Sequence, residues 1–147
     1  MIIHKDFEEL FRILNKRNVD YVIVGGYAVA FHGYVRATKD IDVLFRNTPG
    51  NIDQLISALS DFGITGKDVK RPLFSKQGSI IRLGVSPVMP ELINAVSGLT
   101  FDEIWEFRVQ GSYGDAPVHY ISRDHLLINK RASGRPRDLL DLDELGG

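Results

Sequence analysis

The sequence predicts an α/β (α+β) domain in which strands mix with helices throughout. Three observations predict it. Short apolar runs of strand type, Tyr21-Val22-Ile23-Val24 among them, are interspersed with segments of helical periodicity. The chain has 147 residues, enough for one domain to bury a sizeable core. No internal repeat, low-complexity tract or long linker divides it, so residues 1–147 read as a single domain.

The first element is a helix over residues 7–16. Phe7, Leu10, Phe11 and Leu14 share one face, and Asp6 with Glu9 has the spacing of a capping box. Tyr21-Val22-Ile23-Val24 is a strand ended by Gly25-Gly26, and residues 27–32 form a brief helix stopped by Gly33. Residues 40–45 make a second strand. Thr48 and Pro49 then open a helix with an apolar face of Ile52, Leu55, Ile56, Leu59 and Phe62, closed by Gly63. Residues 64–78 are polar and irregular, a loop or ill-defined edge. Strands follow at 79–83 and 91–94. Thr100 and Glu103 form a second capping-box pattern, opening a helix to about Phe107. Residues 118–121 are a strand, Ser122 caps a helix through Ala132, and Pro136 starts a last helix towards Leu145.

Composition excludes several classes. There is no cysteine, so disulfides, thiolate metal sites and cysteine nucleophiles are out, which fits a cytoplasmic setting. No apolar stretch approaches the ~18 residues of a membrane span. The N-terminus lacks the basic-then-apolar order of a signal peptide. A formal net charge of −1 gives no global attraction to nucleic acid, although Lys130, Arg131, Arg135 and Arg137 form a local basic cluster able to meet phosphate.

The chemistry concentrates in Gly25-Gly26 and Asp40-Ile41-Asp42. Alternate strand residues share a face, so Asp40 and Asp42 point together while Ile41 and Val43 enter the core. Two adjacent carboxylates repel unless a cation lies between them, and an oxygen-only donor set suits Mg²⁺ or Mn²⁺. The glycine pair, after a strand and before a helix, lets the backbone approach a phosphate. Taken singly, an Asp-x-Asp is more often a solvated strand edge and a Gly-Gly merely a turn; the combination in this order is the informative signal.

That combination resembles the DNA polymerase beta-like nucleotidyltransferase superfamily. The longer pattern Gly25-Gly26-Tyr27-Ala28, His32-Gly33, Arg36, Thr38 and Asp40-Ile41-Asp42 is similar to small bacterial and archaeal nucleotidyltransferase-like proteins. Some of those are associated with toxin–antitoxin or abortive-infection systems, and others resemble aminoglycoside and lincosamide nucleotidyltransferases. The segment Asn129-Lys130-Arg131-Ala132-Ser133-Gly134-Arg135-Pro136-Arg137-Asp138-Leu139 resembles their closing segment, so the likeness spans nearly the whole chain. It implies a nucleotidyltransferase-type mixed sheet and transfer of a nucleoside monophosphate from a nucleoside triphosphate to an acceptor hydroxyl, with Mg²⁺ or Mn²⁺. Asp40, Asp42 and a third carboxylate are then the metal-binding and catalytic residues; Gly25, Gly26, Arg36, Thr38 and Lys130 are nucleotide-binding.

The third carboxylate falls at Glu91, after the Gly84-Val85-Ser86-Pro87 turn, and departs from the family's Asp. Pro90 just before it removes a strand donor, which predicts a strand start or edge there. An ordinary edge-strand residue is the competing reading of Glu91. Lys130 is equally a phosphate cation or a solvated helix residue. Arg36 and Thr38 either contact phosphate or brace the turn. His32 reads as a buried, hydrogen-bonded histidine. Arg135, Arg137, Asp138 and Asp141 read as ion pairs around the last helix, and Phe101 and Trp105 as core. The acceptor is a protein, a transfer RNA end or a small molecule, and a homodimer would supply a missing wall. The rival reading is a catalytically idle nucleotidyltransferase fold acting as a binding partner, such as a toxin–antitoxin component; a ligand-binding α/β domain unrelated to nucleotides is a third.

Overall fold

The computed structural model describes residues 4–38, 40–66, 69–83 and 89–147. The elements run α1 (Lys5–Lys16), β1 (Tyr21–Val24), α2 (Gly25–Phe31), β2 (Asp40–Phe45), α3 (Pro49–Phe62), α4 (Arg71–Ser75), β3 (Ile80–Arg82), β4 (Met89–Ile93), α5 (Phe101–Glu106), β5 (Val109–Tyr113), β6 (Ala116–Tyr120), α6 (Arg123–Ser133) and α7 (Pro136–Glu144). One six-stranded mixed sheet has the order β3-β4-β2-β1-β6-β5. Strand β1 runs antiparallel to β2 and parallel to β6, while β2 and β4 are parallel.

The apolar stripe of α1 does what its spacing requires: Phe7, Leu10, Phe11 and Leu14 are fully buried, and the helix packs against α3 and β6. Helix α3 starts where Thr48 accepts a hydrogen bond from the Asn51 N–H, with Pro49 at its first position. It stops at Gly63 in the left-handed conformation. Every residue of β1 is buried, as a strand between two neighbours demands. At its start, the buried Asn51 side chain accepts from the Asp20 N–H and donates to the Asp20 and Arg46 carbonyls, tying β1 to the end of β2.

Several expectations change. The Asp6–Glu9 capping box does not form, because α1 begins at Lys5 with His4 as an N-cap making no side-chain hydrogen bond. The capping box of Thr100 and Glu103 does form. Residues 64–78 contain α4, and β5 is a strand the sequence hid: Gly111 and Ser112 interrupt its apolar pattern. Phe101 and Trp105 are half-buried rather than core. They stack on each other at 5.6 Å, with Arg46 over Phe101 at 4.6 Å and Arg108 over Trp105 at 3.6 Å. The Gly84-Val85-Ser86-Pro87 turn lies outside the described residues.

Candidate active site

The site grows from the alternation of β2. Ile41 and Val43 are buried, whereas Asp40 and Asp42 are only partly so and face a cleft of about 1520 Å³. Strand β4 repeats the pattern: Pro90 and Leu92 are buried, and Glu91 lines the cleft. Register then sets the chemistry. Asp42 pairs with Glu91 across β2 and β4, Arg82 pairs with Glu91 across β3 and β4, and Val24 pairs with Asp42 across β1 and β2. A row therefore crosses the sheet from Arg82 through Glu91 and Asp42 to the strand end that carries Gly25. Pro90 does not push Glu91 to an edge. Strand β4 lies between β2 and β3, the Pro90 carbonyl accepts from the Leu83 N–H at 3.2 Å, and Glu91 is 14% exposed.

Burial, followed by the charges of Glu91 and Asp40 and a hydrogen bond with Glu91, pushes the Asp42 carboxyl up to about 7, against the pull of Lys130. Arg82 meets Glu91 at 3.5 Å but is 62% exposed, so it neutralises the row weakly. The donor set is three carboxylates on two adjacent strands, and the Asp42–Glu91 pair carries repulsion that Arg82 and Lys130 offset only in part. That chemistry fits a hard divalent cation. Among the described residues no group of three or more His, Asp or Glu side chains is gathered closely enough to hold an ion as it stands.

The glycine pair is built into this row. Gly25 and Gly26 form the first turn of α2 rather than preceding it. Gly25 has φ +68°, and a Cβ there would overlap Asp42 Oδ2; a Cβ at Gly26 would lie 2.8 Å from Thr38 Oγ1 and 3.3 Å from Arg36 Nη1. Thr38 Oγ1 also donates to the Asp40 carbonyl at 3.3 Å. Arg36 and Thr38 thus lie against the turn that carries the glycines.

Lys130 is neither solvated nor free. It is 6% exposed, and its ammonium lies 3.1 Å from Asp138 Oδ1 and 3.1 Å from Asp141 Oδ2. Asp141 is fully buried and takes Nε and Nη2 of Arg36 at 2.8 and 3.0 Å; Asp138 accepts from Ser133 and Arg135 as well. Arg137 joins no ion pair among the described residues, against expectation. His32 is half-buried, and its Nε2–H donates to the Ile121 carbonyl at 2.7 Å, a bracing role. The sequence marks Lys130 as a candidate but not its partners, although Asp138 and Asp141 are three apart on α7 and so share one face.

A mixed sheet with an acidic row beside a glycine turn defines a nucleotidyltransferase-like protein. The chain belongs to the family described as nucleotidyltransferase of unknown function (DUF6036), which it matches over residues 1–146. Solved structures share the fold. The lincosamide antibiotic adenylyltransferase LnuA, in its lincomycin-bound form, is 16% identical with a TM-score of 0.64, covering 99% of this chain and 98% of its own. A putative nucleotidyltransferase from Thermotoga maritima is 12% identical with a TM-score of 0.64, covering 97% and 94%. An antigenic nucleotidyltransferase-like protein from Paracoccidioides brasiliensis is 17% identical with a TM-score of 0.57, covering 98% and 77%. No curated protein matches the sequence significantly. Among the described residues no helix is long and apolar enough to cross a membrane.

Proposed function

We propose that this chain transfers a nucleoside monophosphate from a nucleoside triphosphate to an acceptor hydroxyl. The observation that carries the reading is the in-register Asp42–Glu91 pair, with Asp40 on the same strand face and Gly25 against Asp42. Asp40, Asp42 and Glu91 would hold Mg²⁺ or Mn²⁺, which supplies charge neutralisation and oxygen activation there.

The chain's own residues divide the remaining work. The Gly25-Gly26 backbone, free of side chains, admits the triphosphate beside Asp42. Arg36 and Thr38 hold that turn, and Lys130 sets the electrostatic background of Asp42. The acceptor oxygen forms a bond to the α-phosphorus, the bond to pyrophosphate breaks, and the hydroxyl proton passes to the carboxylate of Glu91 or Asp42. The cleft, about 1520 Å³, exceeds the ~300–1,000 Å³ of ordinary ligand pockets, leaving room for donor and acceptor together. LnuA, whose structure holds lincomycin, makes a small-molecule acceptor the first class to try.

The experiment is incubation of the protein with each α-³²P-labelled nucleoside triphosphate, Mg²⁺ and a cell extract. Label should move to an acceptor with the wild type and not with Glu91→Gln, which should still bind Mg²⁺–triphosphate. The idle-fold reading draws support from one observation, that three acids do not converge to metal-holding distance among the described residues. Absence of transfer in every extract, with a stable protein complex captured instead, would favour that partner role, toxin–antitoxin pairing included.

A further inference from the structure

A triphosphate needs N–H donors that no carboxylate has already claimed. Lys130 and Arg36 fail that condition. Lys130 gives its ammonium to Asp138 and Asp141, and Arg36 gives Nε and Nη2 to Asp141 and Nη1 to the Ala37 carbonyl. Releasing either would take one of its cations from a buried carboxylate. Arg82 stands at the far end of the acidic row, separated from Gly25 by Glu91 and Asp42.

Among the described residues, two cleft-lining cations remain. Arg135 commits only its Nε, to Asp138 at 2.9 Å, and its side chain is 77% exposed. It lies close enough to Asp42 and Glu91 for both charges to favour its guanidinium. Arg137 is exposed and makes no ion pair or side-chain hydrogen bond among the described residues. Both line the same cleft as Gly25, Gly26, Asp40 and Asp42. The junction that carries them, the α6–α7 turn and the start of α7, is fixed: Gly134 is left-handed at φ +63°, Pro136 opens α7, and Asp138 anchors α7 to Lys130 and Ser133.

We propose that Arg135, on the turn between α6 and α7, and Arg137, in the first turn of α7, bind the β- and γ-phosphates of the nucleoside triphosphate, while Lys130 and Arg36 fasten that turn to the sheet. The assignment rests on the nucleotide reading above. Guanidinium forks suit the task because they can grip phosphate oxygens two at a time.

The test is titration calorimetry on the full chain with Mg²⁺ and ATP, GTP, CTP or UTP, and with Mg²⁺ and tripolyphosphate. Arg135→Ala and Arg137→Ala should each weaken tripolyphosphate, and whichever nucleotide the wild type binds, by about tenfold to a hundredfold. Arg137→Lys should recover part of the loss. Thermal unfolding of Arg137→Ala should match the wild type, because among the described residues the Arg137 side chain makes no ion pair or hydrogen bond with the buried network. Folded variants that both keep wild-type affinity would overturn the assignment. A wild type that binds none of the four nucleotides would instead overturn the nucleotide reading, and this assignment with it.

Discussion

Two charged regions flank the same cleft, and they are built on opposite plans. In the row across β3, β4 and β2, Glu91 and Asp42 lie side by side; among the described residues the exposed Arg82 alone forms an ion pair with the row, and Lys130 and Arg135 offset it from further away. In the network joining α6, α7 and the segment before β2, each buried carboxylate meets at least two cations: Asp138 meets Lys130 and Arg135, and Asp141 meets Lys130 and Arg36. One region is left short of positive charge, and the other is neutralised from within. The difference separates a site waiting for a cation from a fastener that holds the site's walls. Perturbed carboxylates by themselves do not make that distinction; the sign of the perturbation does, since Asp42 is pushed up while Asp138 and Asp141 are pulled down.

The strongest way to break the comparison is at Lys130. Removing one partner of a buried pair leaves the others uncompensated, at a cost of ~3–5 kcal/mol. Lys130→Met takes one of two cations from both Asp138 and Asp141, leaving Arg135 on the first and Arg36 on the second, so urea denaturation should show a loss approaching that size with or without Mg²⁺. A loss under 1 kcal/mol would mean the network is solvated and Lys130 is free after all.

Asp42→Asn should act with the opposite sign. A carboxyl carried from 3.8 to about 7 by folding bounds the native-state cost at roughly 4 kcal/mol. Between those values the native protein holds a proton that the unfolded chain has released, so stability falls as pH rises from about 4 through about 7. In chelator, Asp42→Asn should raise stability at pH 8 by part of that bound and flatten this slope, while Mg²⁺-dependent triphosphate binding is lost. A variant that unfolds under those conditions would make Asp42 structural.

Much of this was legible in the sequence. Strands β1 and β2 occupy the expected residues because an apolar run and a strict alternation are local signals. The Asp40–Asp42 face follows from the same period of two. The fate of Lys130 was not legible, since Arg36 and Asp141 are 105 residues apart and only the folded chain brings them to one lysine. Nor was the harmlessness of Pro90. One missing donor matters little where the Pro90 carbonyl is still paired with Leu83 and the side chain is buried. Strand β5 escaped because Gly111 leaves room for neighbouring rings: a Cβ there would come within 2.8 Å of Phe31 and Tyr120. That is a tertiary reason for a glycine that reads locally as a turn.

Gly25 allows a smaller cut at the acidic row alone. Its φ of +68° disfavours any side chain, and a Cβ would overlap the Asp42 carboxylate. Gly25→Ala should cost ~1–3 kcal/mol, with Asp42 displaced from Glu91. Unfolding and Mg²⁺-dependent nucleotide binding should both weaken, while the α6–α7 network, monitored by the acid limb of unfolding, stays as it was. An unchanged Gly25→Ala protein would show that the turn yields and that glycine is not what places Asp42.

The smallest expected effect sharpens the comparison from the network side. Ser133 donates to Asp138 Oδ2 at 2.5 Å, and Arg135 and Lys130 donate to the same carboxylate. Burial works against the charged form, but the hydrogen bonds from Ser133, Arg135 and Lys130 outweigh it and hold the Asp138 carboxyl near 2. A depressed native pKa gives stability that is present above the unfolded value and lost as pH falls from about 4 towards about 2, the reverse of the Asp42 slope. Ser133→Ala removes one of three donors and leaves both cations in place. It should therefore cost ~0.5–1.5 kcal/mol at neutral pH and move the acid limb of unfolding to higher pH. The readout is urea denaturation from pH 2 to pH 7, with Asp42→Asn run beside it. If the network is the fastener described, the two variants change opposite ends of the pH profile: Ser133→Ala flattens the acid end, because less ionisation-linked stability is left to lose there, and Asp42→Asn flattens the neutral end. An acid limb that does not move in Ser133→Ala would mean that Lys130 and Arg135 alone hold Asp138 ionised, and that the hydroxyl contributes position without charge stabilisation.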